Sequence, residues 1–136
     1  MVMLDELRAF FARDFPQSTV TIEAVGEGTA RVRQEVGQAQ LRPGETVSGP
    51  VMMATADAAS YAAILTSIGI VPLAVTTSFN INFLRRPSAG KAIACEASLL
   101  KLGKRLAVTE MRIWSDGDEE TIVAHCTATY SIPDAR

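Results

Sequence analysis

Residues 50–69 read PVMMATADAASYAAILTSIG, a run that is apolar or small almost throughout and carries one charge, Asp57. Pro50 suits the first helical position, where a missing N–H costs no intrahelical bond. Gly69 suits the position just past a helix end. Between them lie about five turns, roughly 28 Å of helix. Apolarity on nearly every side predicts a helix buried at the centre of a domain. A charge inside such a rod is expensive unless it is exposed, partnered or chemically employed. Those three fates of Asp57 separate a structural acid from a catalytic one.

Upstream, Leu4, Leu7, Phe11 and Phe15 recur at helical spacing, which predicts an amphipathic helix over 3–14 stopped by Pro16. TVTIEAVGEG and TARVRQEVG alternate and break at Gly26–Gly28, as a hairpin does. LRPGETVSG is punctuated by Pro and Gly and reads as a loop. Downstream, four strand-like runs follow with no further helix. In LAVTTSFNINFL, strict alternation puts Leu73, Val75, Thr77, Phe79, Ile81 and Phe83 on one face and Thr76 on the polar other. KAIACEASLLKL, RLAVTEMRIWS and TIVAHCTATYSI complete the set, linked by Gly103–Lys104 and by a DG turn. The order implies an α+β fold of one domain over residues 1–136, with 1–16 as an N-terminal helix and an antiparallel sheet curled around the long one. Edge strands of such a sheet need cover, and pairing with a second copy supplies it.

The 136 residues suit a single core, and 48% hydrophobic with 21% charged residues describes an ordinary globular chain. A net charge of −2 offers no basic field for nucleic acid. The apolar run from Val51 to Val75 approaches membrane length, but Asp57, Pro72 and several Ser and Thr argue against a span. The opening MVMLDELRAFFARDFP is interrupted by charges and is not read as a signal peptide. Cys95 and Cys126 follow no ligand spacing and read as reduced, buried thiols, in keeping with a cytoplasmic location. His125 is the only histidine, so no metal site is expected.

Three segments resemble one family. SGPVMMATADAASYAA, from Ser48, resembles the HGGxxxxxADxA signature of hotdog-fold thioesterases of the phenylacetate-pathway (PaaI-like) type. VTTSFNINFLRRPSAGK is similar to that family's T-x-x-x-N/T-I-x-F-L-R-P-x-x-x-G segment, and LLKLGKRLAVTEMRIWSDGDEETIVAHCTATY to its ending. The resemblance implies a hotdog fold, hydrolysis of acyl-CoA thioesters, coenzyme A as part of the substrate with no separate cofactor, and sites shared between subunits of a homodimer or a dimer of dimers. It places the family's acid on Asp57, the glycine whose N–H binds the thioester oxygen on Gly49, and the strand residue that helps hold the lytic water on Thr76. Ser48 stands where the family has His or Asn, and Pro50 where it has a second Gly; these departures leave open a weak or inactive protein that binds an acyl-CoA or another acyl ligand.

The chemistry is coherent with that placement. An acid in an apolar cleft suits activation of water or direct attack, and the amides at a helix start suit an oxyanion. Eight residues separate Gly49 from Asp57, about 12 Å along a helix, too far for one thioester carbon to meet both. A two-fold partner presenting its own Gly49 resolves the distance. Each residue also has a plainer reading: Asp57 as a paired structural acid, Gly49 and Ser48 as helix-entry residues, Thr76 as an ordinary strand threonine. Arg85, Arg86, Lys104 and Arg105 lie near turns, either as solvated charges or as contacts for the phosphates of coenzyme A. The acyl group, aryl or medium-chain, is not specified by these residues.

Overall fold

The computed structural model describes residues 1–44 and 46–133. Helix α1 (Leu4–Asp14) precedes a hairpin of β1 (Val20–Gly26) and β2 (Thr29–Gln34), two short strands β3 (Leu41–Arg42) and β4 (Thr46–Val47), and helix α2 (Gly49–Ile68). Strands β5 (Val75–Phe83), β6 (Ile93–Leu102), β7 (Leu106–Ser115) and β8 (Ile122–Ser131) follow. The six long strands form one sheet in the order β1-β2-β6-β7-β8-β5, every pair antiparallel. α2 lies along one face of it, touching each of the six strands.

The ends of α2 follow from the sequence. Ser48 is the N-cap, its Oγ accepting from the Val51 N–H at 3.4 Å, and Pro50 sits in the first turn. Gly69 closes the helix at φ +90°, a backbone state that suits glycine. Ala59, Ala62, Ala63, Ile64 and Leu65 have no accessible surface, and the alanines let the sheet approach closely. Each such Leu or Ile contributes about 1.5–3 kcal/mol by burial. The buried hydroxyls are engaged: Ser60 Oγ lies 2.7 Å from Thr109 Oγ1, and Thr66 Oγ1 donates to the Ala63 carbonyl at 2.6 Å while accepting from the Gly28 N–H at 2.8 Å. Gly28, at φ +71°, thereby locks the β1–β2 turn onto the last turn of α2.

All-round burial does not hold. Pro50, Met53 and Ala54 are exposed, and Asp57 and Ala58 half-buried. Spacings of three and four place these five on one stripe of the N-terminal half. The other half is covered by α1, whose Phe10 and Phe11, with Phe15 just beyond, surround the Tyr61 ring. The helix is as apolar as a core helix should be; a single chain does not supply enough cover for the whole rod.

β5 departs from simple alternation. A bulge between Thr76 and Ser78 shifts its register on β8, so that Thr76 opposes Tyr130 and Phe79 opposes Ala128. Tyr130 and Ala128 share the helix-facing side, so Thr76 joins Phe79, Ile81 and Phe83 there instead of lying on the polar side. Leu73 precedes the strand and is 74% exposed. The segment LRPGETVSG also differs from a plain loop: Leu41 pairs with Val47 and Arg42 with Thr46 around Gly44 at φ +92°, with Glu45 outside the described residues.

Candidate active site at the open stripe of the long helix

Asp57 sits where the uncovered stripe of α2 meets the bulged start of β5. Its Oδ1 accepts from Thr76 Oγ1 at 2.8 Å and from the Tyr130 hydroxyl at 2.5 Å. The same hydroxyl lies 3.0 Å from the Asp57 carbonyl oxygen. Tyr130 is 2% exposed and its ring stacks on Tyr61 with centroids 6.2 Å apart. Burial, followed by the nearby Asp57 charge, pushes the Tyr130 phenol well above the usual tyrosine range, so it remains a donor. No cation pairs with Asp57 among the described residues, so the closed-ion-pair fate is absent there.

Asp57 opens onto a cavity of about 380 Å³ whose walls include Phe11, Phe15, Tyr61, Ala58 and Thr76. Phe11 and Phe15 come from α1 and its end, Tyr61 and Ala58 from α2, and Thr76 from β5. A shallower hollow of about 260 Å³ lies on its other side, between Met53, Thr76 and Phe79. Tyr61 donates to the Pro72 carbonyl at 3.1 Å, which fixes the rim, and burial pushes its phenol up to about 12.

Gly49 is elsewhere. It lines a separate cavity of about 370 Å³ together with Phe83, Arg42, Arg85 and Arg86. A Cβ on Gly49 would stand 3.3 Å from the Phe83 ring, so the bare backbone is what keeps this corner open. As a first-turn residue Gly49 has an N–H without an intrahelical acceptor. Ser48 serves as the cap, its hydroxyl oriented by the Val51 amide.

The basic residues also divide. Arg85 and Arg86 follow the Phe83 end of β5, which opposes Ala124 of β8. Lys104 and Arg105 lie in the β6–β7 turn, closed by the Gly103 N–H on the Leu106 carbonyl at 2.8 Å. That turn is at the other end of the sheet, since Leu106 and Val75 both oppose Ser131. One protomer thus holds Asp57, Thr76, Lys104 and Arg105 toward one end, and Ser48, Gly49, Arg85 and Arg86 toward the other.

Sequence reasoning missed Tyr130 and the aromatic wall. Helical spacing presents the rings of α1 only as a core stripe, and nothing in spacing links a tyrosine on the last strand to an acid on the helix; the register of β8 on a bulged β5 makes that link. The remaining reactive types are quiet. Burial pushes the Cys126 thiol up to about 12 and raises Cys95 as well, and His125 pairs with Glu110 at 3.3 Å on the outer face. Among the described residues no three His, Cys, Asp or Glu side chains converge as a ligand set.

A single long helix lying along one antiparallel sheet, with the strand after it at the edge, is the hotdog fold. A candidate thioesterase of Silicibacter sp. TM1040 superposes with a TM-score of 0.89 at 42% identity, covering 98% of this chain and 93% of that one. A point mutant of the phenylacetic acid degradation protein PaaI from Thermus thermophilus gives 0.75 at 26% identity over 92% and 99% of the two chains. A candidate esterase of Thermoplasma acidophilum is 27% identical over 109 residues, 79% of this chain and 81% of its own. The thioesterase-superfamily sequence model matches residues 44–122, more than half of the chain and all of α2 and β5. The chain belongs to the thioesterase superfamily, a class defined by thioester hydrolysis.

Proposed function

We propose that this protein hydrolyses acyl-CoA thioesters at a site built from two copies of the chain, Asp57 of one protomer acting with the Gly49 amide of its partner. The observation that carries the reading is the division just described. Each protomer has the acid beside one cavity and the amide with two arginines beside another, about 12 Å along the helix.

Antiparallel pairing of β5 with its own copy, about a two-fold axis near Phe79, sets the Val75 end of one protomer against the Phe83 end of the other. The partner's Gly49, which lies against the partner's Phe83, then arrives beside Asp57 and Thr76. The choice of edge has physical support. β1 at the opposite edge carries a charge, Glu23, and Arg8 of α1 donates to its Ile22 carbonyl at 2.8 Å. β5, VTTSFNINF, has no charge at all, with Val75 and Phe83 about half exposed.

In the proposed reaction the acyl group enters the aromatic cavity and the thioester oxygen accepts from the partner's Gly49 N–H. Asp57 takes a proton from water as the oxygen forms its bond to the carbonyl carbon. The C–S bond then breaks and the departing thiolate recovers that proton, leaving a free acid and coenzyme A. Lys104 and Arg105 from the acid's protomer, with the partner's Arg85 and Arg86, supply positive charge for the phosphates. Among the described residues the one helix of membrane length is the core helix α2, which the sheet and α1 already cover over most of its surface.

A second reading, an acyl-ligand binder with little turnover, draws on Ser48: its hydroxyl caps α2 and leaves no side chain at that corner like the His or Asn of the similar signature. Assay of the purified chain against benzoyl-, phenylacetyl-, hexanoyl- and decanoyl-CoA, following release of thiol, separates the two. Hydrolysis should occur, and Asp57→Asn should lower kcat by about 10²–10⁴-fold. Binding of these thioesters with no turnover selects the second reading, and an undiminished kcat in Asp57→Asn removes Asp57 from the mechanism.

A further inference from the structure

A carboxylate oxygen accepts in-plane through two lone pairs. Oδ1 of Asp57 has both occupied, by Thr76 Oγ1 and by the Tyr130 hydroxyl. Oδ2 receives no hydrogen bond among the described residues. The hydroxyl of Tyr130 has one proton, and although the Thr76 and Ser60 hydroxyls also lie near it, its contact to Oδ1 at 2.5 Å is shorter than that to the Asp57 carbonyl at 3.0 Å and identifies where the proton goes. That length is typical of a charge-assisted O–H···O⁻ bond. Ring burial against Tyr61 fixes the phenol beside Asp57.

We propose that Tyr130 is a positioning residue for the hydrolysis: with Thr76 it pins Oδ1, so that Oδ2 alone is the working oxygen of Asp57. The inference rests on the acyl-CoA reading above and adds a direction to it. Free rotation of the carboxyl group would exchange the two oxygens; two donors on one of them block that exchange. Thr76 has given its proton to Oδ1, so its oxygen offers lone pairs only. A water placed between Thr76 and Asp57 then donates one hydrogen to Thr76 Oγ1 and the other to Oδ2. Its remaining lone pair is left for the thioester carbon. On reaction the O–H bond toward Oδ2 breaks, Oδ2 gains the proton, and the thiolate later removes it.

Tyr130→Phe keeps the ring and its stacking and removes the donor. With the thioester that the wild type turns over fastest among the four named above, kcat should fall about 10- to 100-fold, the scale on which a misplaced reacting group is felt. KM should stay within about twofold, because the change takes from the cavity wall only a hydroxyl that is already turned to Asp57. Thr76→Val, which keeps the branched shape of the side chain and removes its donor, should lower kcat as well, and the double variant should fall short of the product of the two losses, since both donors act on one oxygen. Proton NMR supplies a readout independent of turnover: a far-downfield exchangeable resonance from the short bond, present in the wild type and absent in Tyr130→Phe. A kcat within about twofold of wild type in Tyr130→Phe overturns the proposal, as does strict multiplicativity with Thr76→Val or a rise in KM matching the loss in kcat. Asp57→Asn run alongside distinguishes the failures: if it too is fully active the whole hydrolytic reading falls, whereas an inactive Asp57→Asn with an active Tyr130→Phe removes Tyr130 only.

Discussion

Asp57→Asn and Gly49→Val damage opposite halves of the proposed site, and mixing them asks whether one chain holds both. The first removes the base, a loss of about 10²–10⁴-fold. The second brings a branched side chain to a position where a Cβ already stands 3.3 Å from the Phe83 ring, so the ring must give way or the amide is covered. Loss of one oxyanion donor costs about 10²–10³-fold. Each parent should therefore retain about 1% of wild-type activity or less. After subunit exchange, half of the dimers are mixed, and each mixed dimer has one doubly damaged site and one intact site. A quarter of all sites are then intact, so activity should return to about 25% of wild type in the mixture and about 50% in heterodimers isolated through two different affinity tags. Thiol release from a CoA thioester measures it. If acid and amide act within one chain, no mixed dimer contains a complete site, and isolated heterodimers no more active than the parents refute the shared arrangement.

Other consequences concern the interface, the core and the thiols. Met53→Lys puts a charge on the open stripe of α2, where Met53 is 39% exposed in the single chain and would be covered by a copy; the dimer dissociation constant should rise about 100-fold or more by sedimentation, and an unchanged assembly rejects that face. Thr66→Val leaves the Gly28 N–H without its acceptor under a shell that excludes water, so urea unfolding should report a loss of about 1–3 kcal/mol, while a loss below about 0.3 kcal/mol shows that the turn finds another partner. Cys126, raised from an ordinary value of 9 to about 12, keeps its proton in the folded state after the unfolded chain has lost it. Stability due to that group is intact below about pH 9 and declines by about 1.4 kcal/mol per pH unit from there to about pH 12; Cys126→Ala should remove that portion of the alkaline slope, and parallel slopes in the two proteins refute the assignment.

Most of the fold was legible because its signals are local. Pro50 and Gly69 bracket α2 to within a residue, the Gly26–Gly28 break is the β1–β2 turn, and period-two alternation finds the four strands that follow. What alternation cannot carry is a bulge. One extra residue at Thr77 moves Thr76 from the side assigned by counting to the side that faces Asp57, and the hydroxyl that looked ordinary becomes a ligand of the acid. Tyr130 is a longer step still, 73 residues from Asp57, and its role depends on sheet register that no short pattern encodes. The basic residues fail to form one group for the opposite reason: Arg85–Arg86 and Lys104–Arg105 are fewer than twenty residues apart, yet a strand as long as β6 carries the chain across the sheet between them.

The two features that make a lone copy awkward are the same two that hold the proposed site. An edge strand of nine residues without a charge invites another strand, and here it is also the strand that brings Thr76 to the acid. A core helix left open along Pro50, Met53, Ala54, Asp57 and Ala58 wastes apolar surface in water, and here that stripe leads from the Gly49 amide at the helix start to the carboxylate two turns on. Closing the edge with a second copy covers both at once, and antiparallel symmetry forces the amide end of one helix toward the acid of the other. A monomeric enzyme would have to keep an oxyanion donor and a base about 12 Å apart on one rod and bend the chain to join them. Symmetry removes the need to bend anything, which is why the loss of the interface and the loss of the acid should abolish the same activity.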